Sequence, residues 1–283
     1  MNINNALIIP IYNAGEFLKP CLDSVARQTI PPDEVILIDD ASNDGNHLYD
    51  IVYVLKDATY NEEFIYSLRS VCKYFDYRRV YIYGTQPRNV KVDRYHHIIQ
   101  SGWTKWDRVQ NMLTAICQNN NITPYFWLFN DDFYVTEEPE KLYYYSNGDL
   151  YRIAEGLENK YGHDTEYSRM LRHEADMLKE KGYDTRAYNT HTPLLIHRET
   201  FIEAMTEFSG VRGFRSIYGN YAKKKYGLPL RIKTCKDNKI RNASEPIGHH
   251  MPFLSSSDKS FRENEELKQF LETEFNEKCK YEV

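Results

Sequence analysis

The stretch "ALIIPIYNAGEFLKPCLDSVARQTIPPDEVILIDDASNDG" (residues 6–45) decides the fold of the chain. It opens with a short apolar run, continues with apolar residues at helical spacing, and closes with a second apolar run after two prolines. This order predicts a strand, a helix and a second strand. The two strands are expected to be parallel, because the helix between them returns the chain to the same edge of the sheet. We therefore expect the chain to begin with a β-α-β unit.

A second copy of this pattern follows along the chain. The segments "LDSVARQ" (22–28) and "LRSVCKY" (68–74) align with an offset of 46 residues (68 − 22), and apolar runs flank both of them. Alternating strand and helix patterns continue as far as residue 135. Strands that alternate with helices predict an α/β fold, with a mostly parallel sheet and helices on both faces.

The rest of the chain is less regular. Residues 136–190 are charged and largely helical in pattern, so we expect them to form a helical insertion. Residues 210–238 are expected to mix loops and strands, and residues 260–283 predict an amphipathic helix. The stretch "VDRYHHIIQ" (92–100) is expected to be a strand.

Composition limits the possible functions. The 283 residues are enough for one large α/β domain, with or without an insertion, and the net charge of −5 argues against a nucleic-acid partner. The five cysteines are odd in number and form no CxxC motif, which predicts reduced thiols in a cytoplasmic protein. The N-terminus lacks signal-peptide features, and no apolar run reaches the ~18 residues that span a bilayer, so no transmembrane segment is expected.

Acidic residues stand where predicted strands end, at Asp39-Asp40, at Asp57 and at Asp131-Asp132 in "YFWLFNDDFYV". Ligands of a parallel α/β sheet bind beyond the carboxyl ends of its strands. Carboxylates there can hold Mg²⁺ or Mn²⁺, which neutralises the charge of a leaving diphosphate. We therefore predict that Asp131 and Asp132 bind the metal. The alternative for each acid is a loop cap or an ion pair with an arginine.

Two basic side chains are further candidates. His191 precedes Pro193 at the start of a predicted strand and could act as a general base or a phosphate ligand; the alternative is a hydrogen-bonded loop histidine. Arg215 lies in "GFRSIYGN", and its planar guanidinium suits a diphosphate; the alternative is a surface arginine paired with an acid.

Residues 6–45 resemble the opening of the family 2 glycosyltransferases of the GT-A fold. The motifs "IPIYN", "CLDSVARQT" and "LIDDASNDG" occur in the order typical of that family. The resemblance implies a GT-A-like (Rossmann-like) fold and a nucleotide-sugar donor. It also implies that Asp39 and Asp40 contact the base and ribose of the donor.

Residues 50–282 resemble the Stealth family, whose members transfer hexose-1-phosphate. The resemblance is carried by "DIVYVLKD", "WLFNDDFYV", "HTPLLIHRETF" with "FRSIYGN", and "CKDN". The first of these motifs departs from the family, because "VLKDATYNE" replaces its usual Trp and Asp-Gly-Ser continuation. The resemblance implies site roles for Asp50, Arg69, Asp131, Asp132, His191 and Arg215.

These expectations combine into one prediction. Residues 1–46 form a family 2-like unit, and residues 47–283 form a Stealth-like transferase domain with the insertion at about 136–190. The expected function is a metal-dependent glycosyltransferase that moves a sugar, from a UDP-sugar first of all, to a glycan or glycoconjugate hydroxyl, as in polysaccharide biosynthesis. The alternatives are sugar-1-phosphate transfer of the capsular type and a non-catalytic sugar- or nucleotide-binding protein. Catalysis is assigned to Asp132, His191 and Arg215, metal binding to Asp131 and Asp132, and donor binding to Asp39, Asp40, Asp50, Arg69 and Asn130.

Overall fold

The computed structural model describes residues 5–11, 15–39, 49–56, 58–97, 105–248 and 251–283. The chain divides into two compact units, residues 1–49 and residues 50–283. The boundary lies close to the one expected after residue 46. We refer to these as the N-terminal unit and the main unit.

The N-terminal unit is a β-α-β element, as the opening stretch predicted. It consists of β1 (Ala6–Ile11), α1 (Gly15–Ala26) and β2 (Glu34–Asp39). The two strands are parallel, with Ala6 opposite Glu34 and Ile11 opposite Asp39.

The main unit contains the remaining strands and helices of the described part of the chain. Its strands are β3 (Asp50–Leu55), β4 (Val80–Gly84), β5 (Arg94–His96), β6 (Tyr125–Phe129), β7 (Phe133–Val135), β8 (Tyr144–Ser146), β9 (Gly148–Asp149), β10 (Arg186–Ala187), β11 (Leu194–His197), β12 (Ile232–Thr234), β13 (Lys239–Ile240) and β14 (Phe253–Ser256). Its helices are α2 (Glu62–Tyr74), α3 (Lys105–Gln118), α4 (Leu150–Tyr161), α5 (Glu166–Glu180), α6 (Arg198–Glu207), α7 (Arg215–Tyr226), α8 (Asp258–Glu263) and α9 (Glu265–Glu274).

A five-stranded sheet forms the centre of the main unit, in the order β11-β6-β3-β4-β5. The four strands from β6 to β5 are parallel, and β11 at the edge runs antiparallel to β6. The connection from β3 through α2 to β4 repeats the β-α-β arrangement of the N-terminal unit. The structure thus confirms an α/β fold with a mostly parallel sheet, consistent with the GT-A-like class.

Helices cover both faces of this sheet. Phe75, at the end of α2, packs edge-on against Trp127 and Phe129 of β6, with ring centroids 5.6 and 5.4 Å apart. Leu128 points to the opposite face, because successive strand residues alternate, and there it lines a cavity together with Met112 of α3. The sheet is therefore buried between helices, which explains the long apolar runs in its strands.

Three sequence expectations need correction. Residues 215–226, expected as loop and strand, form helix α7, in which Gly219 lies so close to Tyr188 that a Cβ atom would sit 2.5 Å from its ring. The insertion at 136–190 contains the short strands β8, β9 and β10 besides α4 and α5. The helix of the C-terminal tail is divided into α8 and α9 at Asn264, whose side chain accepts a hydrogen bond from the Leu267 amide and caps α9.

Two further expectations concern short segments. Within 92–100 the described strand is limited to β5, and residues 98–100 lie outside the described part of the chain. In that described part, no helix has both the length and the apolar character needed to cross a membrane.

Candidate active site

A cavity of about 490 Å³ lies where β3 and β6 end, at the edge of the sheet expected to bind ligands. Its polar lining comes from six separate stretches of the main unit. The lining residues are Val54, Lys56, Arg108, Val109, Met112, Leu128, Asn130, Asp131, Phe133, Tyr167, Met170, Asn189, His191, Gly213, Phe214 and Arg215. Four residues predicted from sequence therefore come together here, namely Asn130, Asp131, His191 and Arg215.

Asp131 follows β6 and lines the cavity. The side-chain amide of Asn61 donates a hydrogen bond of 2.7 Å to its Oδ2 atom. Asn61 also caps α2, because its Oδ1 accepts a hydrogen bond from the Phe64 amide at 3.0 Å. Burial raises the pKa of Asp131, and the neighbouring charge of Asp132 raises it further. A cation bound at this carboxylate would offset both effects.

Asp132 has different partners and is absent from the cavity lining. Its Oδ2 accepts hydrogen bonds from Lys239 Nζ at 2.8 Å and from Ser255 Oγ at 3.1 Å. The Asp132 side chain is buried and has lost most of its contact with water. The positive charge of Lys239 compensates for this loss of solvation. The two adjacent aspartates therefore do not converge on one point, contrary to the expectation that both bind a single metal ion.

Glu63 is a buried acid that the sequence reasoning did not select. It lies in the first turn of α2, and its Oε1 accepts a hydrogen bond of 3.2 Å from Ser256 Oγ. The pKa of Glu63 is raised to about 7. Burial is the largest cause, and the negative charges of Asp131, Asp132 and Asp258 contribute to the same shift. Acidic residues in the first turn of a helix commonly interact favourably with the helix dipole. The position of Glu63 in the sequence therefore gave no indication of a functional site.

His191 and Asp237 form a hydrogen-bonded pair at the cavity. The Nδ1–H group of His191 donates to Asp237 Oδ1 at 2.9 Å. The backbone of His191 has φ = 45°, a left-handed conformation that is uncommon outside glycine. Burial acts to raise the pKa of Asp237, but the hydrogen bonds from His191 and Arg241 outweigh it and lower the pKa. Asp237 belongs to the "CKDN" motif, so the sequence did contain a signal that could have identified it as a site residue.

Arg215 is the first residue of α7 and is half-buried at the wall of the cavity. Its Nη1 donates to the Thr192 carbonyl at 2.8 Å, and its guanidinium lies 5.5 Å from the centroid of the Phe133 ring. Its Nη2 atom is buried and has no hydrogen-bond partner among the described residues. Burial lowers the pKa of Arg215 to about 10, so the side chain stays charged at neutral pH. An anionic ligand at this wall of the cavity would supply the missing partner.

Two predicted donor-binding residues do not line the cavity. Asp50 begins β3 and so lies at the opposite edge of the sheet, where its Oδ2 accepts a hydrogen bond from the Thr123 amide at 2.9 Å. Arg69 lies on α2 and donates from Nε and Nη2 to the two carboxylate oxygens of Glu282, both at 2.7 Å. The contacts of both side chains tie parts of the fold together, and neither residue lies at the cavity, so their donor-binding roles stay predictions without support from its lining.

The remaining predicted residues belong to the N-terminal unit or fall outside the described chain. Asp39 is the last residue of β2. Asp40 and Asp57 are outside the described residues. The donor-binding roles of Asp39 and Asp40 stay predictions.

The described residues provide only part of a metal site. No group of three His, Cys, Asp or Glu side chains in the described ranges is arranged to hold a metal ion. Asp131, however, is a half-buried carboxylate that has no cationic hydrogen-bond partner among the described residues, which makes it a suitable single protein ligand for Mg²⁺ or Mn²⁺. Such ions usually take one or two carboxylates and complete their shell with water and substrate phosphate oxygens. The residues therefore fit a metal that is held jointly by the protein and a diphosphate.

Comparison with known proteins concerns the start of the chain. Residues 6–49 match the family described as Glycosyl transferase family 2. The chain is also 39% identical over 41 residues to glycosyltransferase GlyG of Streptococcus pneumoniae serotype 4 (strain ATCC BAA-334 / TIGR4). This similarity covers 14% of the chain and 14% of that relative, so the chain spans about one seventh of the length of the curated relative that it matches.

These similarities bear on the class of the protein. The N-terminal unit resembles a family 2 glycosyltransferase, as the sequence predicted. The resemblance of residues 50–282 to the Stealth family stays a prediction.

Proposed function

We propose that the protein is a glycosyltransferase that uses a nucleotide-sugar donor and a divalent metal ion to glycosylate an acceptor hydroxyl. The observation that carries this proposal is the cavity at the ends of β3 and β6. It combines an acid held by a neutral amide (Asp131 with Asn61), a histidine oriented by a carboxylate (His191 with Asp237) and a half-buried arginine (Arg215). Such a transfer requires three groups: a carboxylate that binds the metal ion, a base that accepts the proton of the acceptor hydroxyl, and a hydrogen-bond donor that stabilises the leaving phosphate.

His191 is assigned to proton transfer. Because its Nδ1–H is held by Asp237, Nε2 is the ring nitrogen available to accept the proton of an acceptor hydroxyl. The acceptor oxygen then forms its bond to the anomeric carbon of the sugar, and the bond from that carbon to the phosphate oxygen breaks. Asp237 stabilises the imidazolium that results, as a buried carboxylate does in other histidine–carboxylate pairs.

Stabilisation of the charge on the leaving diphosphate is assigned to Asp131, through a metal ion, and to Arg215. Asp131 would hold Mn²⁺ or Mg²⁺, which as a Lewis acid supplies stabilisation of the developing phosphate charge. Arg215 adds a fixed positive charge in a desolvated environment, where electrostatic stabilisation is stronger than in water. Asp132, held by Lys239, is reassigned from metal ligand and catalytic residue to a role in fixing the local charge balance.

Donor and acceptor recognition are assigned to different segments. Asn130 of the cavity is proposed to contact the nucleotide-sugar, with a UDP-sugar as the first choice. The donor-binding roles of Asp39 and Asp40 are a separate proposal for the N-terminal unit. Tyr167 and Met170 of α5 line the cavity, which supports a role for the 136–190 insertion in selecting the glycan or glycoconjugate acceptor.

The decisive experiment identifies the nucleotide released from each donor. The protein is incubated with Mn²⁺ or Mg²⁺ and a panel of UDP-, GDP-, TDP- and CMP-sugars, and the products are measured by mass spectrometry. Release of nucleoside diphosphate from a UDP-, GDP- or TDP-sugar supports the proposal. Release of nucleoside monophosphate from the same donors would instead establish sugar-1-phosphate transfer. Binding of one donor without turnover on any acceptor, and without an effect of Mn²⁺, would indicate a non-catalytic binding protein.

The contribution of Asp131 is tested with a matched pair of variants. Asp131→Asn removes the acid of the cavity, while Asp176→Asn removes an exposed acid of α5. We expect the first variant to lose metal-dependent turnover and the second to keep it. Full activity of Asp131→Asn would exclude Asp131 as the metal ligand.

A further inference from the structure

A second cavity, of about 640 Å³, shares no lining residue with the candidate active site. It is formed between the last turn of α2 and the C-terminal segment 273–280, and Cys72 and Cys279 both line it. Both cysteines are partly exposed. Two thiols from opposite ends of the main unit thus face one solvent-accessible space.

A network of hydrogen bonds holds the C-terminal segment against α2 at this place. Oε1 of Glu282 accepts from Nε of Arg69 at 2.7 Å and from the backbone amide of Cys279 at 2.9 Å. Nη1 of Arg69 donates in addition to the Phe275 carbonyl at 2.8 Å. Because Arg69 and Cys72 are three residues apart on α2, they share one face of the helix, so this network brings Cys279 to Cys72.

The two thiols line the same cavity and differ in acidity. Interaction with the Cys279 thiol lowers the pKa of Cys72 to about 7, against the opposing effect of burial. The Tyr77 hydroxyl lies 3.3 Å from the Cys72 sulfur, and the nearby charge of Lys280 favours the thiolate as well. The pKa of Cys279 is raised, and the interaction with Cys72 is the largest cause. Thiolate character together with partial exposure is what makes a cysteine reactive.

We propose that Cys72 and Cys279 form an oxidation site, in which a hydroperoxide converts the thiol pair into a disulfide that ties the C-terminal segment to α2. The Cys72 thiolate attacks a peroxide oxygen, the O–O bond breaks, and a sulfenic acid forms while hydroxide leaves as water. The Cys279 sulfur then attacks the Cys72 sulfur, the S–O bond breaks, and the second oxygen leaves as water. Overall, two thiols lose two electrons and two protons, and one hydrogen peroxide is reduced to two molecules of water.

The other cysteines provide internal controls. Burial raises the pKa of Cys117 to about 12 and that of Cys235 to about 11, so both remain protonated and slow to react at neutral pH. Cys21 belongs to α1 of the N-terminal unit and is exposed. It serves as a reference for an ordinary surface thiol.

The test uses the full chain treated with increasing hydrogen peroxide near pH 7.5, quenched and digested without reduction. We expect two of the five thiols to be lost and the peptides that contain Cys72 and Cys279 to be recovered as one disulfide-linked species. Dithiothreitol should restore both thiols. In Cys279→Ser, Cys72 should accumulate as a sulfenic acid that dimedone labels, whereas Cys235→Ser should form the disulfide as the wild type does.

Three outcomes would overturn the proposal. One is that the Cys72 and Cys279 peptides stay unlinked while Cys21 is oxidised. Another is that Cys72→Ser, with a wild-type circular dichroism spectrum, loses thiols to peroxide at the wild-type rate. The third is that dimedone labels Cys72 no faster than Cys21 in the Cys279→Ser protein. These readouts do not depend on any transferase activity.

Discussion

Nδ1 of His191 lies 2.9 Å from Oδ1 of Asp237, although the two residues are separated by 46 positions in the chain. The histidine starts the segment that leads into β11, and the aspartate stands between β12 and β13. His191 adopts its left-handed backbone conformation in this arrangement, at a cost of about 1 to 3 kcal/mol for a residue other than glycine. Strain of this kind at a cavity wall is what one expects of a side chain whose direction matters.

The His191–Asp237 pair is expected to govern the turnover rate. His191→Asn should lower kcat by ~10²- to 10⁴-fold, the usual contribution of a general base, because the proposed proton acceptor would be lost. Asp237→Asn should also lower kcat, since the imidazolium would lose its stabilising charge. Initial rates of nucleotide release measure both effects. His173→Asn, which changes an exposed histidine of α5, is the control and should retain wild-type turnover.

Arg215 is expected to be irreplaceable by lysine. Arg215→Lys keeps a positive charge but has only one nitrogen, so it cannot donate to the Thr192 carbonyl and to a diphosphate as the planar guanidinium can. We expect kcat/KM for the donor to fall by ~10²-fold or more. Arg212→Lys is the matched control, because Arg212 is half-exposed and pairs with Glu166 at the surface. Equal activities of the two variants would contradict a role for Arg215 in binding the leaving group.

Glu63 should make the stability of the protein depend on pH. Its pKa is raised from 4.5 to about 7 in the folded state, so the folded protein binds this proton more tightly than the unfolded chain does. The stabilisation is complete below about pH 4.5 and is lost as the pH rises through about 7. Glu63→Gln, which stays neutral, should therefore gain up to about 3 kcal/mol in free energy of unfolding relative to wild type between pH 4 and pH 8.

Urea unfolding of both proteins at the two pH values measures this difference. Glu62→Gln, which removes an exposed acid from the same helical turn, controls for the loss of a charge near the helix N-terminus. If the difference in free energy of unfolding between Glu63→Gln and the wild type is the same at both pH values, Glu63 does not have the raised pKa that its burial implies.

Gly213 is expected to tolerate no side chain. A Cβ atom at this position would lie 1.9 Å from Oε1 of Glu174, a fully buried acid of α5 whose pKa burial raises to about 8. Gly213→Ala should reduce the free energy of unfolding by roughly 1 to 3 kcal/mol, because the segment that leads to Arg215 must shift. Gly156→Ala, inside α4 and with no atom within 4 Å, should instead stabilise the protein by about 0.5 to 1 kcal/mol. Thermal unfolding of the two variants checks both signs.

The sequence predicted the elements of the fold better than the contacts of the site. The apolar runs and the repeated helix pattern correctly indicated β1-α1-β2 and β3-α2-β4. Of the two acids after β6, Asp131 lines the cavity, and its role there stays a prediction. Helix α7 was missed because its aromatic residues and Gly219 hide the helical periodicity, and Gly219 is explained by its close approach to Tyr188. Hydrophobic periodicity reports how a local segment is buried, and that information is available in the sequence itself.

The sequence by itself determined the α/β class, the parallel β-α-β units and the presence of Asp131, His191 and Arg215 as candidates. Only the tertiary structure separated Asp131, which lines the cavity, from its neighbour Asp132, which Lys239 and Ser255 hold. It likewise gave His191 its partner Asp237 and showed that Arg69 binds Glu282. The physical reason is that a strand or helix follows from residues a few positions apart, whereas the role of a charged side chain depends on which distant group compensates its charge.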